Sequence, residues 1–272
     1  MTNRFEPAPQ ELVLTLLGAY VRPRESALVW SGGLVELLAG QGFSAGAARI
    51  ALARLVRRDL LEPSKKGRLV YYRLTPRAIA VLEDGDRRIF TLGQGRRPAG
   101  QWTVLWHSIP ETRRKAREKL VRRLRFLGFG SVQDGTWLAP HDREQEVVAL
   151  LRELEVTEHA GLMLGRPAAS LDVRVFASRA WDLDALAADY AEFAAEFRGY
   201  PRRRRTLREP EAFSVRTRLI HRFRQFPAQD PELPEELVPA PPRRVEAVAL
   251  FHDLYTALAE PAQRHFDEVT GK

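Results

Sequence analysis

A glycine turn, an amphipathic helix and a basic hairpin follow one another between Gly40 and Leu74, and few folds admit that order. Gly40-Gln41-Gly42 stops a helix, because glycine takes left-handed geometry at little cost. Ser44 then offers its hydroxyl as an N-cap. Beyond it Ala48, Leu52, Leu55 and Val56 recur at i, i+4, i+7 and i+8, which makes one buried stripe. Arg54, Arg57 and Arg58 fall largely off that stripe. Next, Leu60-Leu61-Glu62-Pro63 and Leu69-Val70-Tyr71-Tyr72-Arg73-Leu74 flank Ser64-Lys65-Lys66-Gly67-Arg68. Short apolar and aromatic flanks around a basic glycine turn predict a hairpin with a charged tip. Thr75-Pro76 opens a further helix, with proline in its first turn. Upstream, Glu11 to Tyr20 reads as a short apolar helix, broken near Arg22 by Pro23. Ser26 caps a second helix, expected to run to about Leu38.

Helix, helix, tight turn, helix and basic hairpin is the order of a winged helix. In that arrangement the third helix enters the major groove by its N-terminal turn, and the hairpin follows the flanking backbone. Ser44, Ala45, Gly46, Ala47 and Ala48 are small enough for close approach, and Ser44 with nearby backbone N–H groups suits phosphate. The predicted contact set is Ser44, Ala47, Arg49, Arg54, Lys65, Lys66 and Arg68. Arg49 and Arg54 reach base edges or phosphates, and the hairpin cations reach phosphates. The charge distribution agrees. The net charge of +8 divides into +5 over residues 1–90, +4 over 91–166 and −1 over 167–272. Residues 44–73 carry eight Lys and Arg against Asp59 and Glu62, an excess that suits a polyanion.

The middle of the chain reads β-α-β-β-α-β, the ferredoxin-like split unit. Trp102–Ile109 is a strand, and Pro110-Glu111-Thr112 opens a strongly basic helix to about Phe126. Gly128–Val132 and Thr136–Ala139 pair around Asp134-Gly135, a strong hairpin dipeptide. Asp142 caps a helix from Arg143 to Leu154, and a last strand runs to Leu164. Residues 165–170 form a linker, and Leu171–Ser178 is expected to be a strand. Asp182–Arg198 and Glu211–Phe226 are helices, the segment 227–242 is extended, and one or two helices span Val245–Val269. The fold class is therefore multidomain α+β. Residues 1–95 form the winged helix, 96–166 a ferredoxin-like dimerisation domain, and 167–272 a mainly helical domain that is a candidate effector binder.

Chemistry is mostly excluded. The chain has no cysteine, so disulfides, thiolate metal sites and cysteine nucleophiles are absent. No apolar run approaches the ~20 residues that span a bilayer, and no secretory signal pattern opens the chain. The six histidines have no HExxH spacing, and no phosphate loop, GxGxxG or GxSxG is present. Asp182 and Asp184 are explained by capping. His221 with Arg218, Arg222 and Arg224 is the one dense polar cluster on an otherwise apolar helix, and suits either a phosphate or carboxylate of a small effector or a histidine bonded to a neighbouring domain. The run Arg202–Arg205 could grip a phosphate-bearing ligand or DNA, but an exposed charge run of this kind is usually only solvated.

Leu14-Thr15-Leu16-Leu17-Gly18-Ala19-Tyr20-Val21 resembles the opening helix of the phenylacetate-catabolon repressor family, the PaaX-type regulators. Phe43-Ser44, Arg49, Leu52, Arg54-Leu55 and Tyr71-Tyr72-Arg73-Leu74-Thr75 resemble its winged helix. Trp102-Thr103-Val104-Leu105 and Phe126-Leu127-Gly128-Phe129-Gly130 resemble its middle domain. Arg218–Arg224, Asp230-Pro231-Glu232-Leu233-Pro234 and Leu237-Val238-Pro239 resemble its C-terminal domain. Two departures stand out: Asp59-Leu60 where the family has Gly-Trp, and Pro241-Pro242-Arg243 where it has Trp-Pro-Gly.

The resemblance implies a DNA-binding transcriptional repressor of a catabolic operon, not an enzyme. It implies a cytoplasmic homodimer on an inverted-repeat operator in double-stranded DNA, with no membrane partner. It implies no cofactor, and an effector that is an aryl-CoA thioester such as phenylacetyl-CoA or another acyl-CoA. Trp102 and Trp106 are candidates to pack on its aryl group, and Arg218, His221, Arg222 and Arg224 to hold its charged part. The middle domain is also related by that resemblance to small CRISPR-associated nucleases, which place an acidic residue at the end of the first strand. Here that position reads His107-Ser108-Ile109. A metal-dependent nuclease and an effector-independent structural DNA binder are the alternatives.

Overall fold

The structure, a computed structural model, describes residues 8–22, 28–94 and 100–271. The chain divides into two compact units. The first comprises Met1–Phe90, Phe193–Arg224 and Val248–Lys272, and the second comprises Thr91–Glu192 and Gln225–Ala247.

In the first unit, α1 (Pro9–Leu16) continues into a π-helical turn over Leu17–Val21. There follow β1 (Val29–Trp30), α2 (Ser31–Ala39), α3 (Ala45–Arg57), β2 (Leu61–Lys66), β3 (Leu69–Leu74) and α4 (Pro76–Thr91). The sheet runs β1-β3-β2, antiparallel throughout. Two expectations change here. The second helix starts at Ser31, not near Ser26, because Val29 and Trp30 pair with Tyr72 and Tyr71 as a third strand. β-branched and aromatic side chains suit that pleated edge. Ser26 and Pro23 lie outside the described residues. The hairpin turn is also tighter than expected: Lys66 faces Leu69, so Gly67 and Arg68 alone make the turn, and Lys65 and Lys66 stand on β2. Gly67 has φ +60°, the left-handed geometry such a turn demands.

In the second unit, β4 (Trp102–His107) leads through a 3₁₀ turn at Glu111–Arg113 into α5 (Arg114–Phe126). Then come β5 (Gly130–Gln133), β6 (Thr136–Ala139), α6 (Glu144–Glu153) and β7 (Ala160–Gly165). The four-stranded sheet has the order β5-β6-β4-β7 and every pair is antiparallel. Leu105, Leu120, Leu124, Val147 and Leu151 fill the core on one face. Trp102, Val104 and Trp106 alternate onto the other face.

The expected strand over Leu171–Ser178 is instead α7 (Val173–Ala180). The Leu171-Asp172-Val173-Arg174-Val175 alternation suggests β structure, but the Asp172 carboxylate accepts the Arg174 N–H at 2.9 Å and caps a helix. Val173, Ala177 and Trp181 then share one face and pack with Trp102 and Val238. α7 also sits close on β5, where a Cβ on Gly130 would meet the Ala180 carbonyl at 2.5 Å.

The chain ends with α8 (Leu183–Phe197), α9 (Tyr200–Arg203), α10 (Glu209–Phe223), α11 (Phe226–Gln229), α12 (Arg244–Ala257) and α13 (Ala259–Thr270). The unit boundary falls within α8 and α12 and at the last residue of α4. α10 stops at Phe223, short of the expected Phe226, and a separate short turn of helix carries Phe226 and Pro227. Within the first unit α13 packs on α10 and α2. Tyr20 stacks on Phe266 with centroids 5.1 Å apart, and its hydroxyl lies 3.1 Å from Thr217 Oγ1. Phe223 stacks on Phe251 at 3.9 Å. A Cβ on Gly33 would fall 2.4 Å from the Val269 carbonyl, so glycine is what lets α2 reach the end of α13.

Candidate nucleic-acid interface

α3 presents two opposed stripes. Ala48, Ala51, Leu52 and Leu55 are buried. Gly46, Arg49, Ile50, Ala53, Arg54 and Arg57 are exposed and recur at helical spacing on the other side. Ser44 caps the helix by accepting the Ala47 N–H at 3.1 Å. Its hydroxyl therefore holds the helix start, and of the first-turn N–H groups those of Ala45 and Gly46 have no acceptor within the helix. Ala47 is half-buried, at the margin of the stripe.

Among these groups Ile50 was not singled out by the sequence. It is 55% exposed, in the middle of a basic face. The signal was available: a 3.6-residue period places it opposite Leu52 and Leu55. A large apolar side chain flanked by Arg49 and Arg54 can meet a thymine methyl while the arginines meet guanine edges or phosphates.

The cations differ in what they already hold. Arg73 makes a two-pronged pair with Glu62 across the hairpin, at 2.9 and 2.7 Å. Arg49, Arg54, Arg57, Arg58, Lys65 and Arg68 are exposed and make no ion pair among the described residues, and Lys66 lies over the Tyr71 ring at 5.3 Å. The hairpin thus neutralises its base and leaves its tip and the adjoining helix positive. The base is fixed further by Thr75, whose hydroxyl donates to the Asp59 carbonyl at 2.8 Å and accepts the Ala78 N–H at 3.1 Å. Asp59 has φ +55°, which explains glycine as the alternative residue at this position.

α5 is different in kind. Arg114 and Arg117 pair with Glu111, Arg114 also with Glu118, and Arg113 with Glu158. Arg123 and Arg125 lie over Phe126 and Trp137. Much of its charge is met within the chain.

The effector candidates fall into separate groups. Trp102 is buried against Phe176 and Trp181. Trp106, on the same sheet face, is 48% exposed and its ring covers Gly161. The α10 cluster diverges. Arg218 and Arg222 both reach Glu196 at 2.7 Å. His221 Nδ1 lies 3.0 Å from Thr15 Oγ1, and Arg224 donates to Thr15 Oγ1 and the Glu11 carbonyl. Burial, with the nearby Arg224 charge, pushes the His221 pKa down to about 4. In the arginine run, Arg204 pairs with Asp253 at 2.5 Å, while Arg202, Arg203 and Arg205 are exposed.

His107, at the end of β4, accepts the Trp137 Nε1–H at 3.3 Å, and burial lowers its pKa. Among the described residues no group of three or more His, Asp or Glu side chains is placed to hold a metal ion. No described helix is long and apolar enough to cross a membrane.

An exposed, unpaired basic helix face beside a basic hairpin is the surface of a DNA-binding transcriptional regulator. Known proteins agree along the whole chain. Residues 8–78 match the profile of the PaaX-like protein, 96–174 that of the PaaX protein central Cas2-like domain, and 181–268 that of the PaaX-like protein C-terminal domain. The transcriptional repressor PaaX of Escherichia coli (strain K12) is 31% identical over 223 residues, spanning 78% of this chain and 68% of that protein. The chain belongs to the PaaX family of transcriptional repressors. The uncharacterized protein Rv0674 of Mycobacterium tuberculosis shares the fold, with a TM-score of 0.56 at 24% identity over 96% of this chain and 98% of that one.

Proposed function

We propose that this repressor binds an inverted-repeat operator as a homodimer and is released by a small acyl-CoA-type effector. The observation that carries the DNA-binding half is the unpaired cationic stripe on α3 opposite its buried stripe. We read α1 to β3 as a winged helix and β4 to β7 as a ferredoxin-like domain. Residues 1–95 serve DNA binding, 96–166 dimerisation and 167–272 effector response.

α3 enters the major groove by its N-terminal turn. Arg49 and Arg54 read base edges, Ile50 meets a thymine methyl, and Ser44 and Ala47 allow the backbone to come close. Lys65, Lys66 and Arg68 hold phosphates along the flanking groove, which fixes register without reading sequence. Dimerisation through the sheet face that bears Trp106 and Met163 sets the half-site spacing. The effector favours an arrangement in which the two α3 helices no longer match the operator. Linkage then requires DNA to weaken effector binding by the same factor.

The test is an anisotropy titration on DNA from the chain's own upstream region, with phenylacetyl-CoA, acetyl-CoA and free coenzyme A. Sequence-specific binding released by one thioester is expected. Binding indifferent to sequence, or unmoved by every thioester, would sink the respective half of the reading.

A further inference from the structure

The second unit contains a cavity of about 340 Å³ that none of the six sequence-derived effector candidates lines. Its walls are the first turns of α8, the segment Asp230–Leu233, the proline-rich stretch Val238–Pro242, and Arg244. Leu183, Leu186, Ala187, Leu233 and Val238 are among the apolar side chains that line it. One wall is charged and tightly built. The Tyr190 hydroxyl and Arg244 Nε both donate to Asp230 Oδ2 at 2.7 Å, and the Glu232 N–H donates to Asp230 Oδ1 at 2.7 Å. Arg244 Nη2 and the Gly93 N–H donate to Glu232 Oε1, at 3.1 and 3.0 Å.

The backbone of this wall is strained as well. Among the described residues four other than glycine have positive φ; one, Glu232 at +50°, lines the cavity, and another, Arg243 at +66°, links the lining Pro242 and Arg244. Such conformations persist only where their surroundings fix them, and ligand clamps are a common place for them. The acid–base balance then selects the occupant. Among the described residues, Asp184, Asp230 and Glu232 line the cavity with Arg244 as the one cation, and Arg244 already donates to Asp230 and Glu232. A phosphate or carboxylate placed here would be desolvated beside like charge. An uncharged apolar group would not. The volume is about twice that of an engineered protein cavity that binds benzene, so a ring with a short chain fits.

We propose that this cavity is the effector site and receives a compact uncharged aryl or alkyl group, with any phosphate-bearing part of the ligand held outside. The cavity is walled by the start of α8 and by the first residue of α12, two helices within which the unit boundary falls. A group that fills it acts on both helix starts at once. This inference rests on the reading that a small effector releases the protein from DNA, and it names where the effector's apolar end goes.

The test is calorimetric titration of the full-length protein with phenylacetyl-CoA, phenylacetamide and phenylacetate, alongside the operator titration. Phenylacetamide is expected to bind at least about tenfold more tightly than phenylacetate, which carries a full charge on the same ring. Ala187→Phe fills the cavity from α8 and is expected to weaken phenylacetamide and phenylacetyl-CoA by about tenfold or more while operator affinity stays within about twofold. Leu233→Ser, which keeps the volume open but makes it polar, is expected to weaken both ligands without the bulk that could distort α8. If phenylacetyl-CoA binds and releases DNA equally well in wild type and both variants, the cavity is not the site and the effector reading stands. If phenylacetamide binds through the cavity but no ligand moves the operator titration, the cavity stands and the release mechanism falls. If no probe binds the wild type, the cavity proposal is overturned.

Discussion

Asp59 carries a conformation that its side chain tolerates poorly. At φ +55° it closes the end of α3, and its carbonyl accepts the Thr75 hydroxyl that caps α4. Aspartate visits this region more readily than most residues. Asp59→Gly relieves about 1 kcal/mol of local strain but gives back about 0.4–1 kcal/mol through a looser unfolded chain, so a nearly unchanged midpoint is expected. Asp59→Val should cost about 1–2 kcal/mol or more, since a β-branched residue is worst here. Urea unfolding of both variants checks the pair, and equal stability of the two would remove backbone strain as the explanation. His221 supplies a second residue-scale prediction. Folding lowers its pKa from an ordinary 6.5 to about 4, so the unfolded chain binds the extra proton first. Its stabilising contribution is complete above pH ~6.5 and is lost as pH falls through that value toward 4, about 3 kcal/mol in all. His221→Gln should therefore melt with a flatter pH dependence between pH 7.5 and 4.5. A variant with the wild-type slope would show that other groups govern the acid sensitivity.

Individual elements explain why parts of the site were legible and others not. α3, the basic hairpin and the β-α-β-β-α-β order were readable because each is written in local spacing, as with Ser44 as cap and Ala48, Leu52 and Leu55 as stripe. The sequence of α7 suggests a strand because Leu171, Val173 and Val175 keep a period of two, whereas Val173 and Ala177 also lie one helical turn apart, and the Asp172 cap decides between them. The α10 cluster was dense in sequence, yet a helix turns about 100° per residue. Arg218 and Arg222, four apart, share a face toward Glu196, while His221 and Arg224 share another toward α1. The cavity beside Asp230 brings together segments some fifty residues apart, a juxtaposition that no local period encodes. The hairpin yields a prediction that separates its cations. Lys65→Ala or Lys66→Ala should weaken operator binding about equally across sequences and reduce the salt slope by about 1 for each bound copy. Arg54→Ala should instead relax base preference at one or two operator positions, by about 1–3 kcal/mol. Arg73→Ala, whose charge is held by Glu62, should leave the slope unchanged. Slopes from titrations between 50 and 300 mM salt would settle the division, and a fall in slope for Arg73→Ala would overturn it.

For the whole molecule, one chain presents one α3, and an inverted repeat needs two held at a fixed spacing. In the proposed dimer the second unit supplies the surface for that pairing. Trp106 and Met163 are 48% and 55% exposed on neighbouring strands, and the helices α5 and α6 cover the opposite face of the same sheet. Two copies related by a twofold axis would lay these side chains against each other, since such an interface is self-complementary. Met163→Glu would then place two carboxylates in a dry interface, where like charges repel and neither is solvated. Unlike a core substitution, it alters a side chain that the single chain leaves in water, so the melting midpoint should fall only by what pairing contributes and should lose its dependence on protein concentration. The variant is expected to sediment as a single chain at concentrations where the wild type sediments as a pair. Its affinity for a full inverted repeat should fall about a hundredfold, while affinity for an isolated half-site stays the same, because the cation stripe on α3 is untouched. A variant that remains paired would place the dimer contact elsewhere on the chain. A monomeric variant with undiminished affinity for the full repeat would show that pairing contributes nothing to operator binding.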